Sequence, residues 1–226
     1  MGRDAARLEA VADAARGAGA EVTIGRFDVA EGESLGHWLL EQDAAHPVDI
    51  AIPAAGTSAG VGPDGMPEGV GRATMQVRSN LVGAMNVVEP LLPRMIARAS
   101  GQVVLVASTA ALRGLPYSPG YSASKAGVRA YGEALRALLA PRGIAVTVVV
   151  PGFFATPMTD RWHGPTPFMV SLDRMVQVIR RGVDRRRARI TFPRLLALGT
   201  QIADLLPAFI GDRIMRDFRF HIDPGN

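Results

Sequence analysis

The chain has 226 residues, 48% of them hydrophobic, enough to bury the core of one α/β domain. It has no cysteine, which excludes disulfides, thiolate zinc sites and cysteine nucleophiles. No stretch reaches the roughly 18 uninterrupted apolar residues of a membrane span and the N-terminus lacks a signal pattern, so a cytoplasmic protein is the expectation. The net charge of +4 is mild, and its one dense run, Arg185-Arg186-Arg187 with Arg189, reads as a solvated helix end, so no nucleic-acid partner is expected.

In chain order, residues 3–16 read as an amphipathic helix, with Leu8, Val11 and Ala15 at helical spacing and Gly17 and Gly19 to stop it. Residues 21–27 read as a short strand followed by Asp28 and Val29, and Asp28 also suits the N-cap of the next helix, 34–45. Residues 49–54 predict a strand leading to Ala55 and Gly56. Pro53 cannot donate to a ladder, so that strand must already be ending there. A Gly/Pro-rich loop at 57–71 precedes a long helix over 72–97, which Pro90 and Pro93 should kink or split. Asn80 lies within it, a poor helix-interior residue that bonds backbone or water instead.

The stretch 101–125 carries the chemistry. A buried strand at 103–107 ends on Ser108, and a helix over 121–139 opens with Tyr121 and, four residues on, Lys125. That spacing puts the phenol and the amine on one face, one turn apart. A phenol titrates near ~10 and is a poor proton donor or acceptor at neutral pH until a cation stabilises its phenolate. Lys125 is the only lysine in the chain, and arginine could not replace it, because its planar fork is bulky and effectively never deprotonated. With Ser108 to hold an oxygen beside the phenol, the cluster suits proton exchange with an atom that is becoming, or ceasing to be, a carbonyl oxygen.

Beyond it, the small face of 121–139 (Ala123, Ala126, Gly127, Ala130) invites close packing, including by a second subunit. Residues 144–150 are the most β-branched run and predict a central, doubly buried strand, ending in Pro151-Gly152-Phe153-Phe154-Ala155-Thr156. Residues 158–170 read as a substrate lid, with His163 a surface loop residue. A helix at 173–187 and an edge strand at 189–192 complete the domain. The tail, 193–226, is strongly apolar, with Leu195, Leu196, Leu198, Ile202, Leu205 and Leu206 flanked by arginines. That pattern fits a pocket wall, a subunit interface or a helix on a membrane surface.

Ser108, Tyr121 and Lys125, with the Pro151-Gly152 and Thr156 motif at a second strand end, resemble the short-chain dehydrogenases/reductases over residues 3–192. The resemblance implies a Rossmann-type, doubly wound parallel sheet and hydride transfer between NAD(P) and a carbonyl or alcohol. It makes Tyr121 the acid/base, Lys125 the phenolate stabiliser and ribose contact, and Ser108 the carbonyl anchor. Asn80 would hold a water that relays protons to the lysine. It also assigns cofactor contacts to Asp28 and the adjoining Val29, to Ala55 and Gly56, and to Pro151, Gly152 and Thr156. Where the family writes N-N-A-G this chain has Pro53-Ala54-Ala55-Gly56, so both asparagines are gone. Gly2 stands near the position where NAD users of the family carry an acid, and Arg3 follows it, which favours NADP(H) over NAD(H).

The glycine-rich phosphate-binding turn that opens such folds is not found. Residues 1–192 are therefore expected to form a Rossmann-type domain without its N-terminal β-α-β unit, and 193–226 a helical extension. The expected activity is hydroxyl–carbonyl interconversion on a bulky hydrophobic substrate, in a homodimer or homotetramer with peripheral membrane contact through the tail, and with no metal. The alternative is a non-catalytic homologue serving as a binding or assembly subunit.

Overall fold

A computed structural model describes residues 1–62 and 64–223; Pro63 of the expected 57–71 loop and residues 224–226 of the expected tail lie outside them. The N-terminal half contains α1 (Ala5–Gly17), α2 (Gly32–Ala45), β1 (Ile50–Ala51), α3 (Gly69–Val77), a π-helical turn (Arg78–Val82), α4 (Gly83–Val88) and α5 (Leu92–Ala97). There follow β2 (Gly101–Val106), α6 (Pro119–Leu139), β3 (Ile144–Pro151), β4 (Trp162–His163) and α7 (Leu172–Asp184). The chain then runs through β5 (Arg189–Phe192), α8 (Arg194–Leu205), α9 (Ala208–Arg216) and β6 (His221–Ile222).

The two β-branched runs form the middle of a parallel sheet in the order β1-β2-β3-β5, with β2 and β3 in register from Gly101 opposite Ile144 to Val106 opposite Val149. Alternation along the strands divides the core. Val103, Leu105, Val146, Val148 and Val150 pack with Val128 and Leu135 of α6 and with α4 on one face, while Val104 and Val149 pack with Val183 and Ile190 on the other. Both faces are covered, so these strands are predominantly apolar, as in a doubly wound sheet, and the two buried polar residues, Gln102 and Thr147, are hydrogen-bonded to each other. Among the described residues no helix is long and apolar enough to cross a membrane.

Helix α6 lies close against the sheet because Gly132 faces it. A Cβ there would stand 2.6 Å from Val148 Cγ2 and 2.8 Å from Leu105 Cδ1. Gly132→Ala gains about 1 kcal/mol of helix propensity, but forcing a methyl into a packed core costs roughly 1–3 kcal/mol. We expect a net loss of about 1 kcal/mol in urea denaturation; a stabilised variant would show that α6 is free to lift.

Three sequence expectations change. Residues 21–27 are not a strand: their one ladder contact is an isolated parallel bridge between Gly2 and Arg26, since no longer neighbouring segment propagates the pairing. The strand expected at 49–54 shrinks to β1, with only β2 beside it, and leaves Ile50 at 46% and Ile52 at 50% exposure. Val11, assigned to the apolar stripe of α1, is 70% exposed, and Ala12 is the buried residue of that helix. The helix expected over 72–97 is split at Glu89–Leu91, as Pro90 leads one to expect, and the π-helical turn within its first part is unforeseen. The tail, for its part, packs on the domain: α8 contacts β5, and β6 pairs antiparallel with β4, Trp162 opposite Ile222 and His163 opposite His221.

Candidate active site

Past the C-terminal end of β2, Ser108 is in extended conformation and caps a short 3-10 turn (Thr109–Ala111), its Oγ accepting from the Ala110 N–H at 3.1 Å. Tyr121 and Lys125 come from the first turns of α6. Pro119 opens that helix, and Ser118 Oγ donates to the Ala59 carbonyl at 2.6 Å. Beneath its first turn lies a buried polar network. The Glu68 carboxylate accepts from the Gly120 N–H and from Gln76 Nε2, the latter at 2.7 Å, while Gln76 Oε1 accepts from the Ala59 N–H at 2.8 Å. An acid at a helix N-terminus is stabilised by the exposed N–H groups and the dipole. Sequence reading missed Glu68, Gln76 and Ser118. Glu68 and Ser118 stand at the N-caps of α3 and α6, and Gln76 is the buried residue of α3.

Lys125 Nζ donates to the Val106 carbonyl at 2.9 Å and lies 5.8 Å from the centroid of the Tyr121 ring. Burial lowers the lysine to about 8, so it is poised to titrate near neutral pH. Burial pushes the Tyr121 phenol up, and the neighbouring Ser108 hydroxyl works in the opposite direction. The result is a protonated phenol beside an ammonium, a proton donor whose conjugate base is stabilised at once by a cation.

Asn80 is buried in the π-helical turn, an irregularity frequent at functional sites. Its Oδ1 accepts from the Thr57 N–H at 2.7 Å, and its Nδ2 donates to the Thr57 carbonyl and to Ser124 Oγ, both at 2.9 Å. All of its amide hydrogens and one acceptor lone pair are engaged, so its side chain clamps the loop after β1 to α6. A Cβ at Gly56 would stand 3.1 Å from Asn80 Oδ1 and 3.7 Å from Lys125 Nζ, so glycine keeps that corner open.

A cavity of about 500 Å³ lies at the C-terminal ends of β2 and β3, with Asn80 behind its wall and not lining it. Gly56, Ser108, Tyr121, Lys125, Pro151, Gly152 and Thr156 all line it. Thr156 also forms a hydroxyl pair with Thr159 at 3.1 Å. Arg3, Asp28, Val29 and Ala55 do not line it. Arg3 Nη1 pairs with Asp28 Oδ2 at 3.2 Å near the surface, Asp28 Oδ1 accepts from the Ala30 N–H, and Val29 is a core residue against Gly83. Much of the remaining wall is apolar, with Phe153, Met158, Trp162 and Phe168, then Leu195, Leu196, Ile214, Met215 and Phe218 of the tail, beside hydroxyls of Thr57, Ser58, Thr109, Thr159 and Thr200.

The short chain dehydrogenase family model matches residues 1–165. An uncharacterized oxidoreductase of Myxococcus xanthus is 32% identical over 219 residues, covering 96% of this chain and 86% of that protein. Among solved structures, a gluconate 5-dehydrogenase from Burkholderia cenocepacia, in complex with NADP and tartrate, is 26% identical with a TM-score of 0.63. That match covers 70% of this chain, which spans 62% of the solved one. A short-chain dehydrogenase from Sphingobium yanoikuyae shares the fold at 22% identity with a TM-score of 0.76, covering 96% of this chain and 84% of that one. The arrangement of parallel strands and the matches along the sequence agree: the chain belongs to the short-chain dehydrogenase family.

Proposed function

We propose that the chain interconverts a hydroxyl and a carbonyl on a bulky apolar substrate, with a nicotinamide dinucleotide as hydride carrier. The observation that carries this reading is the convergence of Ser108, Tyr121 and Lys125 on one wall of a largely apolar cavity. In the reducing direction the Tyr121 phenol gives its proton to the carbonyl oxygen, which the Ser108 hydroxyl holds in place. The Lys125 ammonium stabilises the phenolate left behind. Asn80 keeps the loop carrying Gly56 against α6 and so fixes the lysine's surroundings.

The residues present fit the nicotinamide–ribose half of such a cofactor. Gly56 leaves room beside Lys125, and Gly152 borders the cavity at the end of β3, packed so closely that a Cβ would meet Leu196 Cδ2 at 2.8 Å. Lys125, Gly56, Pro151, Gly152 and Thr156 would hold that half, and the cofactor when bound supplies or takes up the hydride. We assign NADP(H) as the preferred form. Arg3 is exposed and bonded to one acid only, Asp28, which leaves guanidinium donors for a 2′-phosphate, and the Burkholderia cenocepacia relative holds NADP.

One observation favours the second reading, a non-catalytic binding subunit: Pro53 and Ala54 stand where the family carries two asparagines. Fluorescence titration with NADPH separates the two, run on the 226-residue chain and on the same chain preceded by a strand–turn–helix–strand unit. Saturable binding by either form supports the enzyme; none by both supports the subunit.

The tail defines the substrate class on this account. Each buried methylene contributes ~0.8 kcal/mol, so kcat/KM should rise about fourfold per carbon until the cavity fills. Phe218→Ala should flatten that dependence on ketone chain length. The outward residues Leu198 (53% exposed), Ile202 (53%), Leu205 (85%) and Phe209 (76%), with Arg194 and Arg213 nearby in sequence, suit a membrane surface. Leu205→Asp with Phe209→Asp should abolish co-sedimentation with anionic vesicles and leave the chain-length profile intact. A wild-type protein that prefers short ketones and ignores vesicles contradicts the assignment. Self-association is assigned to the exposed small face of Ala123, Ala126 and Ala130, and sedimentation equilibrium reads it.

A further inference from the structure

The short ladder between β4 and β6 presents two faces. On one, Trp162 and Ile222 form part of the cavity wall. On the other, His163 stands directly opposite His221, and Asp223, two residues further along, follows the same pleat. The imidazole rings lie nearly parallel at 15° with centroids 4.6 Å apart, and His163 Nε2 is 2.7 Å from Asp223 Oδ2. One donor atom from each of the three residues falls within 4.8 Å of the others. The backbone of Asp223 is held in turn: its N–H donates to the Arg161 carbonyl at 3.0 Å, and Arg161 also donates to the Ser58 carbonyl at 3.1 Å.

We propose that His163, His221 and Asp223 bind one borderline divalent cation of the zinc, cobalt or nickel type, which latches the tail to the lid. The donor set is two imidazole nitrogens and one carboxylate oxygen, which suits these ions over calcium or magnesium. Metal–ligand bonds of about 2.0–2.2 Å in a tetrahedron bring donors to about 3.3 Å from one another. From the present spacing the His163–Asp223 pair opens from 2.7 Å while the His221 donor draws in, on backbones held by the ladder and by the Asp223–Arg161 hydrogen bond. Water completes the shell on the exposed side. The ion acts on the cavity through the ladder: pinning His221 to His163 holds Ile222 against Trp162, whose ring stacks on Phe220 at 3.7 Å. The consequence for substrate rests on the function proposed above; the binding itself does not.

The test therefore reads binding, not turnover. Chelator-treated protein is titrated with Zn²⁺ by calorimetry and with Co²⁺ by visible absorption. The chain has four histidines and no cysteine, so background sites are few. The expected result is one ion per chain with Kd below about 10 μM. Replacing the other two histidines (His37→Ala with His46→Ala) should leave that value unchanged, and His163→Ala or His221→Ala should weaken it by about 100-fold. Zn²⁺ should slow tryptic cleavage after Arg216 and Arg219 in the wild type and not in either His variant. Absence of a saturable site in the wild type overturns the proposal. So do binding that survives loss of His163 or His221 in variants with unchanged circular dichroism, and bound metal that leaves the tail equally open to trypsin.

Discussion

Tyr121→Phe should lower kcat by at least about 10³-fold while NADPH binding stays within about twofold. The substitution removes one oxygen atom and keeps the ring. No other group in the cluster can take over. Ser108 is a far weaker acid than a phenol, and Lys125 already gives a hydrogen bond to the Val106 carbonyl at 2.9 Å. Burial keeps the wild-type phenol protonated in the resting site, so the donor form is the one present. Steady-state oxidation of NADPH by a long-chain ketone, beside a fluorescence titration of the cofactor, separates the two effects. A Phe variant that keeps more than about a tenth of the wild-type rate would remove Tyr121 from the proton path.

Lys125→Met should also abolish turnover, and it should make the protein more stable. The ammonium is buried, and its pKa falls from 10.5 to about 8 through desolvation. A shift of about 2.5 units is worth about 3 kcal/mol against the folded state at neutral pH, and losing the bond to Val106 returns about 1 kcal/mol of that. The expected gain at pH 7 is about 2 kcal/mol. The sign follows from proton counting: between pH 8 and 10.5 the unfolded chain binds more protons than the folded one, so this residue makes wild-type stability climb with pH across that window. Below pH 8 the cost is constant, and the Met variant lacks the climb altogether. Lys125→Arg should be inactive and destabilised, because a fork that never deprotonates must be buried in the same space. Urea unfolding at pH 7 and pH 10 measures all of this. A Met variant less stable than wild type at pH 7 would mean that the ammonium is solvated and the site is open.

What the sequence made legible was local. Tyr121 and Lys125 lie on one helix, so their spacing alone puts them on one face, while Ser108, just past β2, joins them through the fold. The β-branched runs at 101–106 and 144–151 are predominantly apolar on both faces because the sheet is covered on both, and that pattern needs no knowledge of neighbours. What depended on neighbours was misread. Residues 21–27 have β-branched residues but only a bridge to pair with, and β1 is short for the same reason. The π-helical turn at Asn80 follows from packing that no helical pattern encodes: Gly83 sits under Val29 and Gly127 under Leu81. His163 read as a surface loop residue because its partner strand lies in the tail, and two-residue strands carry no periodicity. Glu68 and Gln76 carried no reading from the sequence, and only the fold brings them under the start of α6.

The central claim is that this cavity passes hydride to a carbonyl carbon as Tyr121 delivers a proton to its oxygen. It is tested most directly by NADPH deuterated at the transferable position, incubated with a long-chain aliphatic ketone, with the alcohol recovered for mass spectrometry. The account predicts one deuterium per alcohol, on the carbinol carbon, from the wild type and essentially none from Tyr121→Phe. A folded wild-type protein, saturated with NADPH, that yields no deuterated alcohol from any ketone the cavity can hold would contradict it.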